Sequence, residues 1–173
     1  MNNSPIQSEH LQWRLKNADA ILRWFITAFL SLVTCGYAIG LLFVDHTTAG
    51  TTEGIAAQFR GAPESANLAE LKYAKTPTEV YTFLHNHVLS LSLIFFVVGG
   101  LLYFSSTISP AVKGFLIIEP FLAIATTFGG IWLMWSISEH FSWLVIISGI
   151  SMVGCYLVMV FLILRELWMK KAE

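Results

Sequence analysis

Four long stretches of this chain hold no charged side chain: Trp24 to Val44, Val88 to Ser106, Pro120 to Ser138 and Phe141 to Leu164. A helix needs about 20 predominantly apolar residues to cross a bilayer, because each residue advances its axis by only about 1.5 Å. The four stretches meet that requirement. None alternates polar and apolar positions as a membrane β-strand does. The fold class that follows is all-α, an integral membrane four-helix transmembrane bundle forming one membrane domain over residues 1–173. The expected spans are 21–44, 77–106, 115–138 and 142–166, with a structured outer loop over 45–76.

Composition narrows the functional classes. Hydrophobic residues make up 55% of the chain and charged ones 12%, with a formal net charge of -1. That balance excludes a disordered chain, a nucleic-acid-binding domain and a typical cytosolic enzyme. Cys35 and Cys155 both sit in apolar runs and read as small packing residues. There is no Cys-x-x-Cys-His, so covalent c-type haem attachment is excluded. The polar N-terminal segment, with Glu9, Arg14 and Lys16, does not read as a signal peptide.

Basic residues set the expected orientation. Arg14, Lys16, Arg23, Lys113, Arg165, Lys170 and Lys171 all fall on one side of a four-span chain, against Arg60, Lys72 and Lys75 on the other. The positive-inside rule then places both termini in the cytoplasm of a bacterial inner membrane. The 45–87 segment faces outward, where Ile55, Ala56 and Phe59 predict a short amphipathic helix on the membrane surface, ended by Gly61-Ala62-Pro63. Phe59, Leu68, Leu71 and Tyr73 are apolar enough to rest on the bundle or the interface. Thr76-Pro77-Thr78-Glu79 reads as a capped helix start, so the second span begins near Pro77 and projects beyond the bilayer. Gly36-x-x-x-Gly40, Gly99-Gly100 and Gly129-Gly130 read as helix-packing positions, and the tryptophans as an interfacial belt.

The histidines are the informative chemistry. His46, His85, His87 and His140 all map to the outer helix ends, while His10 alone lies on the inner side. Imidazole ligates haem iron, copper and zinc. His85 and His87 are two apart, so on a helix they point about 200° from each other and only one faces the bundle. His46 and His87 are the expected pair for clamping a haem b, with His85 and His140 as substitutes. The same four would make a copper or zinc site, and Asp45 and Glu139 are the nearest carboxylates to support a ligating ring. Histidines also favour helix ends at the water boundary, which leaves a reading with no cofactor.

Glu119, followed by Pro120, reads as an acid at the start of the third span, with proton exchange or a salt bridge to Lys113 as its active roles. The uncharged spans argue against a proton-driven transporter. No phosphate-binding loop, GxSxG or HExxH is present. In layout, four helices with outer histidines resemble small cytochrome b-type membrane anchors. The leading expectation is a redox subunit passing electrons between quinol and a periplasmic or complex-bound acceptor through one haem b near the periplasmic face. Whether it belongs to an oxidoreductase is left open. The alternatives are a non-catalytic accessory subunit of a larger membrane complex, and an outer copper or zinc site. Expected partners are the lipid bilayer and either other membrane subunits or a homo-oligomer, with no nucleic acid.

Overall fold

A computed structural model describes residues 14–62 and 72–169. Within these residues the protein is entirely helical, with α1 (Ala20–Thr48), α2 (Thr52–Arg60), α3 (Pro77–Tyr103), α4 (Pro110–Ser136) and α5 (Ser142–Trp168). Four of the five, all except α2, are long and apolar enough to span a membrane. Short 3-10 turns at Leu15–Asn17 and Glu139–Phe141 precede α1 and α5.

The helix boundaries follow from local chemistry. Asp19 accepts the Leu22 amide at 2.8 Å and starts α1. Thr76 and Glu79 form a reciprocal capping box at α3, with Pro77 in the first turn, as the sequence indicates. Ser109 caps α4, and Pro110 occupies its first turn. The third span therefore starts at Pro110 instead of 115. Pro120 lies inside it, and Glu119 is the tenth residue of a continuous helix. An interior proline removes one amide donor, but the remaining turns and the packed neighbour helix keep α4 intact.

α5 organises the bundle. Tyr156, fully buried, stacks on Tyr37 of α1 at 4.5 Å between ring centroids, meets Phe95 of α3 edge-on at 6.0 Å, and shares a 2.9 Å hydrogen bond with Thr34. α4 approaches α5 closely: a Cβ added at Gly130 would sit 3.2 Å from Val145 Cγ2, and Thr127 and Ser148 hydroxyls bond at 2.7 Å. Gly99 of α3 faces Ile117 of α4. The core is thus α3, α4 and α5, with α1 attached through α5. Only 11% of the α1 span is buried, against 44% for α4, so α1 is peripheral. A Cβ at Gly36 or Gly40 would meet nothing within 4 Å, and these two glycines pack against no part of the described chain.

The two ends differ. At the terminal end, Trp24 and Trp168 meet edge-on at 4.9 Å, and the Leu15 amide donates to Phe104 at 3.1 Å. The start of α1, the end of α5 and the α3–α4 turn therefore share one side. At the opposite end, α2 lies over the bundle. Its apolar face of Ile55, Ala56 and Phe59 is buried on protein and not laid on lipid, with Phe59 edge-on to Phe83 at 5.3 Å. Tyr73 is 83% exposed, so it does not rest on the bundle as its apolar ring suggested. Leu68 and Leu71 lie outside the described residues, as do His10, Trp13, Lys170 and Lys171.

Candidate functional site

The end opposite the terminal side is closed by a tightly built cap. α1 stops in a left-handed residue, Ala49 at φ 52°, and the chain turns back so tightly that a Cβ on Gly54 would fall 1.8 Å from the Thr48 carbonyl oxygen. Only glycine fits there. Gly61, at φ 88°, ends α2, and its open backbone lets Ala62 donate to Lys72 at 2.8 Å while Lys75 donates to Phe59 at 2.9 Å. Arg60 then reaches across to α4 and donates to the Met134 and Trp135 carbonyls at 2.8 and 3.1 Å. These are C-terminal carbonyls that a helix leaves unpaired, and a guanidinium satisfies two of them with charge-assisted bonds. Lys72 donates to the Thr47 carbonyl near the end of α1, and Trp135 Nε1 donates to Lys75 at 3.0 Å. Glu53, in the first turn of α2, has its carboxyl held below the usual range by its own backbone amide and the Thr52 hydroxyl.

The four histidines of the predicted site lie on three elements toward this end. His46 lies in the last turn of α1, His85 and His87 on α3, and His140 in the 3-10 turn before α5; all four are exposed. The 200° offset between His85 and His87 is realised in their contacts. The His87 ring lies 4.0 Å from Phe83 and 5.7 Å from Phe128 of α4, with Nδ1 at 2.9 Å from the Phe83 carbonyl. His85 makes no such ring contact. Among the described residues, no three His, Cys, Asp or Glu side chains come together as a metal-binding group. Asp45 and Glu139 are exposed, and neither carboxylate bonds to a histidine ring within the described residues. Aromatic contacts from Phe59 through Phe83 to His87 link the cap to α3.

Two carboxylates matter more than the sequence indicates. Glu119 lies about 6 Å from the middle of a helix about 40 Å long, well inside a hydrocarbon core of about 30 Å. It is therefore not a helix-start acid, and one span does carry an ionisable group. Ser151 of α5 donates to Glu119 Oε1, Oε2 is buried without a hydrogen-bond partner, and Cys155 neighbours the same carboxyl. Lys113 does not pair with it; its ammonium donates to the Tyr103 carbonyl at 3.0 Å and to that of Ser105.

Glu166 is the second. It is 2% exposed and gathers the whole α3–α4 turn. The Ser106 amide and hydroxyl each donate to Oε1 at 2.9 Å, Thr107 donates to Oε2 at 3.2 Å, and Ser105 donates to Oε2 as well. Sequence reasoning passed over Glu166 because it follows Arg165 where the apolar run stops. The run of hydroxyls at 105–107 was the available signal, since buried hydroxyls need an acceptor. Arg60 was likewise passed over. Its signal was a lone arginine on the side poor in basic residues.

A family model for a transmembrane helical domain matches residues 49–173, which takes in α2 to α5 and leaves α1 outside the matched region. No curated protein and no solved structure matches the chain.

Proposed function

Because the chain belongs to this family of transmembrane helical domains, its setting is the bilayer, and we propose that it serves there as a non-catalytic accessory subunit packing against other subunits of a larger membrane complex. The observation that carries this reading is the outward face of α1. Gly36 and Gly40 form a small-x-x-x-small stripe at which an added Cβ meets nothing within 4 Å among the described residues, on a helix that is 11% buried. In lipid, helices associate by close backbone approach at such stripes, because hydrophobic burial no longer separates helix from solvent. A surface of this kind left open by its own fold suits a second helix. The orientation we propose, both termini in the cytoplasm of a bacterial inner membrane, rests on Arg14, Lys16, Arg23, Lys113 and Arg165 at the terminal end against Arg60, Lys72 and Lys75 at the cap.

The test is the size of the assembly extracted in mild detergent. The wild-type chain co-migrates with further membrane subunits in fixed ratio. Gly36→Leu combined with Gly40→Leu releases it as a folded, smaller species, because a Cβ at either position meets nothing within 4 Å among the described residues. Equal migration of wild type and the double variant, both at the size of the lone chain, overturns the reading.

A second reading, a haem b subunit, is favoured by His87. Its Nδ1 lies on the Phe83 carbonyl, which is how a ligating imidazole is commonly held with Nε2 left to bind a metal. On this reading His46, His85 or His140 supplies the second ligand, and Asp45 and Glu139 tune the rings. The haem would carry electrons between quinol and a periplasmic or complex-bound acceptor. Copper or zinc on the same histidines is the remaining variant. The oxidised and reduced absorption spectrum, with metal analysis, separates these from the accessory role.

A further inference from the structure

At the terminal end of the bundle a cleft of about 620 Å³ opens between the last turn of α3, the α3–α4 turn and the first turns of α4. Two cations line it, Arg14 and Lys113, together with Ser105 and Ser106. Its apolar wall comes from Tyr103, Phe104, Ile108 and Ile117. Among the described residues no carboxylate lines the cleft. Glu166, which bonds to the turn, is buried, with its oxygens taken by the Ser105, Ser106 and Thr107 hydroxyls and the Ser106 amide.

Lys113 is fixed in place. Its ammonium donates to the carbonyls of Tyr103 and Ser105 and lies 5.9 Å from the Tyr103 ring centroid. An ammonium has three N–H donors, so two such bonds aim the group and leave one for a ligand. The depth is also defined. The cleft lies at helix ends on the side where Trp24 and Trp168 meet, and tryptophans gather at the headgroup level of a bilayer. Exposed Tyr103 and Phe104 border it at that level.

We propose that this cleft binds the phosphate of an anionic phospholipid from the leaflet that faces the two termini. The Lys113 ammonium holds the headgroup, and the first part of an acyl chain runs along Ile108 and Ile117. The phosphate of an anionic lipid matches a cleft whose fixed lysine keeps an N–H for a ligand and whose described lining holds no acid. The apolar wall and the boundary depth favour a lipid over phosphate from solution, since a free anion would use neither.

The test is native mass spectrometry of the full-length protein in detergent, titrated with phosphatidylglycerol and, separately, with phosphatidylcholine. One phosphatidylglycerol is retained with a preference of about fivefold, in line with one basic group at about 1 kcal/mol. Lys113→Gln abolishes that preference, Lys113→Arg keeps it, and Gly114→Leu removes binding by filling the cleft. Gly114 lines the cleft, and a Cβ there meets nothing within 4 Å, so the last variant leaves the fold undisturbed. Arg165→Gln, an exposed charge at the same end but outside the cleft, changes nothing. Equal retention of the two lipids overturns the proposal, as does an Arg165→Gln loss as large as that of Lys113→Gln. Binding of inorganic phosphate that depends on Lys113, without lipid retention, overturns the lipid source.

Discussion

Tyr37 of α1 stacks on Tyr156 of α5 at 4.5 Å and an interplanar angle of 15°, and this contact with its Thr34 hydrogen bond is the main tie between α1 and the three-helix core. α1 is also held near its two ends, by Trp24 on Trp168 and by Lys72 on the Thr47 carbonyl, so the stack ties down the middle of the helix. Tyr156→Phe keeps the stack and loses the bond to Thr34, at a cost of about 0.5–1.5 kcal/mol. Tyr156→Ala removes both, along with the Phe95 contact, and costs about 3–5 kcal/mol. Thermal unfolding in a fixed detergent gives both values. Cross-linking between α1 and α5 then reports separation of the helix for the alanine variant only.

The cap formed by α2 depends on Gly54. Gly54→Ala forces a methyl group to within 1.8 Å of the Thr48 carbonyl oxygen unless the α1–α2 turn shifts. The expected outcome is a displaced α2, with protease cleavage near 50–60 at a rate the wild type does not show. Arg60→Ala tests the same cap from its far side. It strands the Met134 and Trp135 carbonyls and costs about 1.5–3 kcal/mol, the range for hydrogen bonds to a charged group.

At the opposite end, Glu166 holds the α3–α4 turn. Glu166→Ala leaves the Ser106 amide and the hydroxyls of Ser105, Ser106 and Thr107 without their acceptor, so the loss is larger than one hydrogen bond, about 3–5 kcal/mol. Glu166→Gln keeps the shape but presents an NH2 to donors, and retains only part of that stability. Hydrogen exchange at Ser106 distinguishes the two variants: fast in alanine, intermediate in glutamine.

Orientation is tested by single cysteines at exposed positions on opposite ends, Lys16→Cys and Tyr73→Cys. A membrane-impermeant maleimide added to intact cells labels the Tyr73 position and spares the Lys16 position. The reverse pattern would turn the histidine end toward the cytoplasm.

Much of the fold was legible because bilayer thickness imposes a length on every uncharged apolar run. The capping box at Thr76 and Glu79 was legible because both partners lie within four residues. The third span was misplaced at its start for a related reason. Glu119-Pro120 has the look of a helix beginning, while the true start, Ser109-Pro110, has the same chemistry ten residues earlier. Long-range partners were not legible: nothing local tells that Arg60 will cap α4, or that Glu166 will collect hydroxyls from 105–107. The four described histidines lie toward the end of the bundle opposite the terminal side. Their relation to one another depends on how α1 docks, and α1 sits on α5, held by the Tyr37–Tyr156 stack.

The role of His87 bears most directly on the function. The decisive measurement is the absorption spectrum, oxidised and reduced, of the assembly isolated from native membranes with wild-type chain and with His87→Ala. If the chain is an accessory subunit without haem, the Soret and α-band amplitudes per assembly are the same in both. Loss of a low-spin haem signal in His87→Ala, with His10→Ala unchanged, would contradict the accessory role and leave the haem b reading in its place.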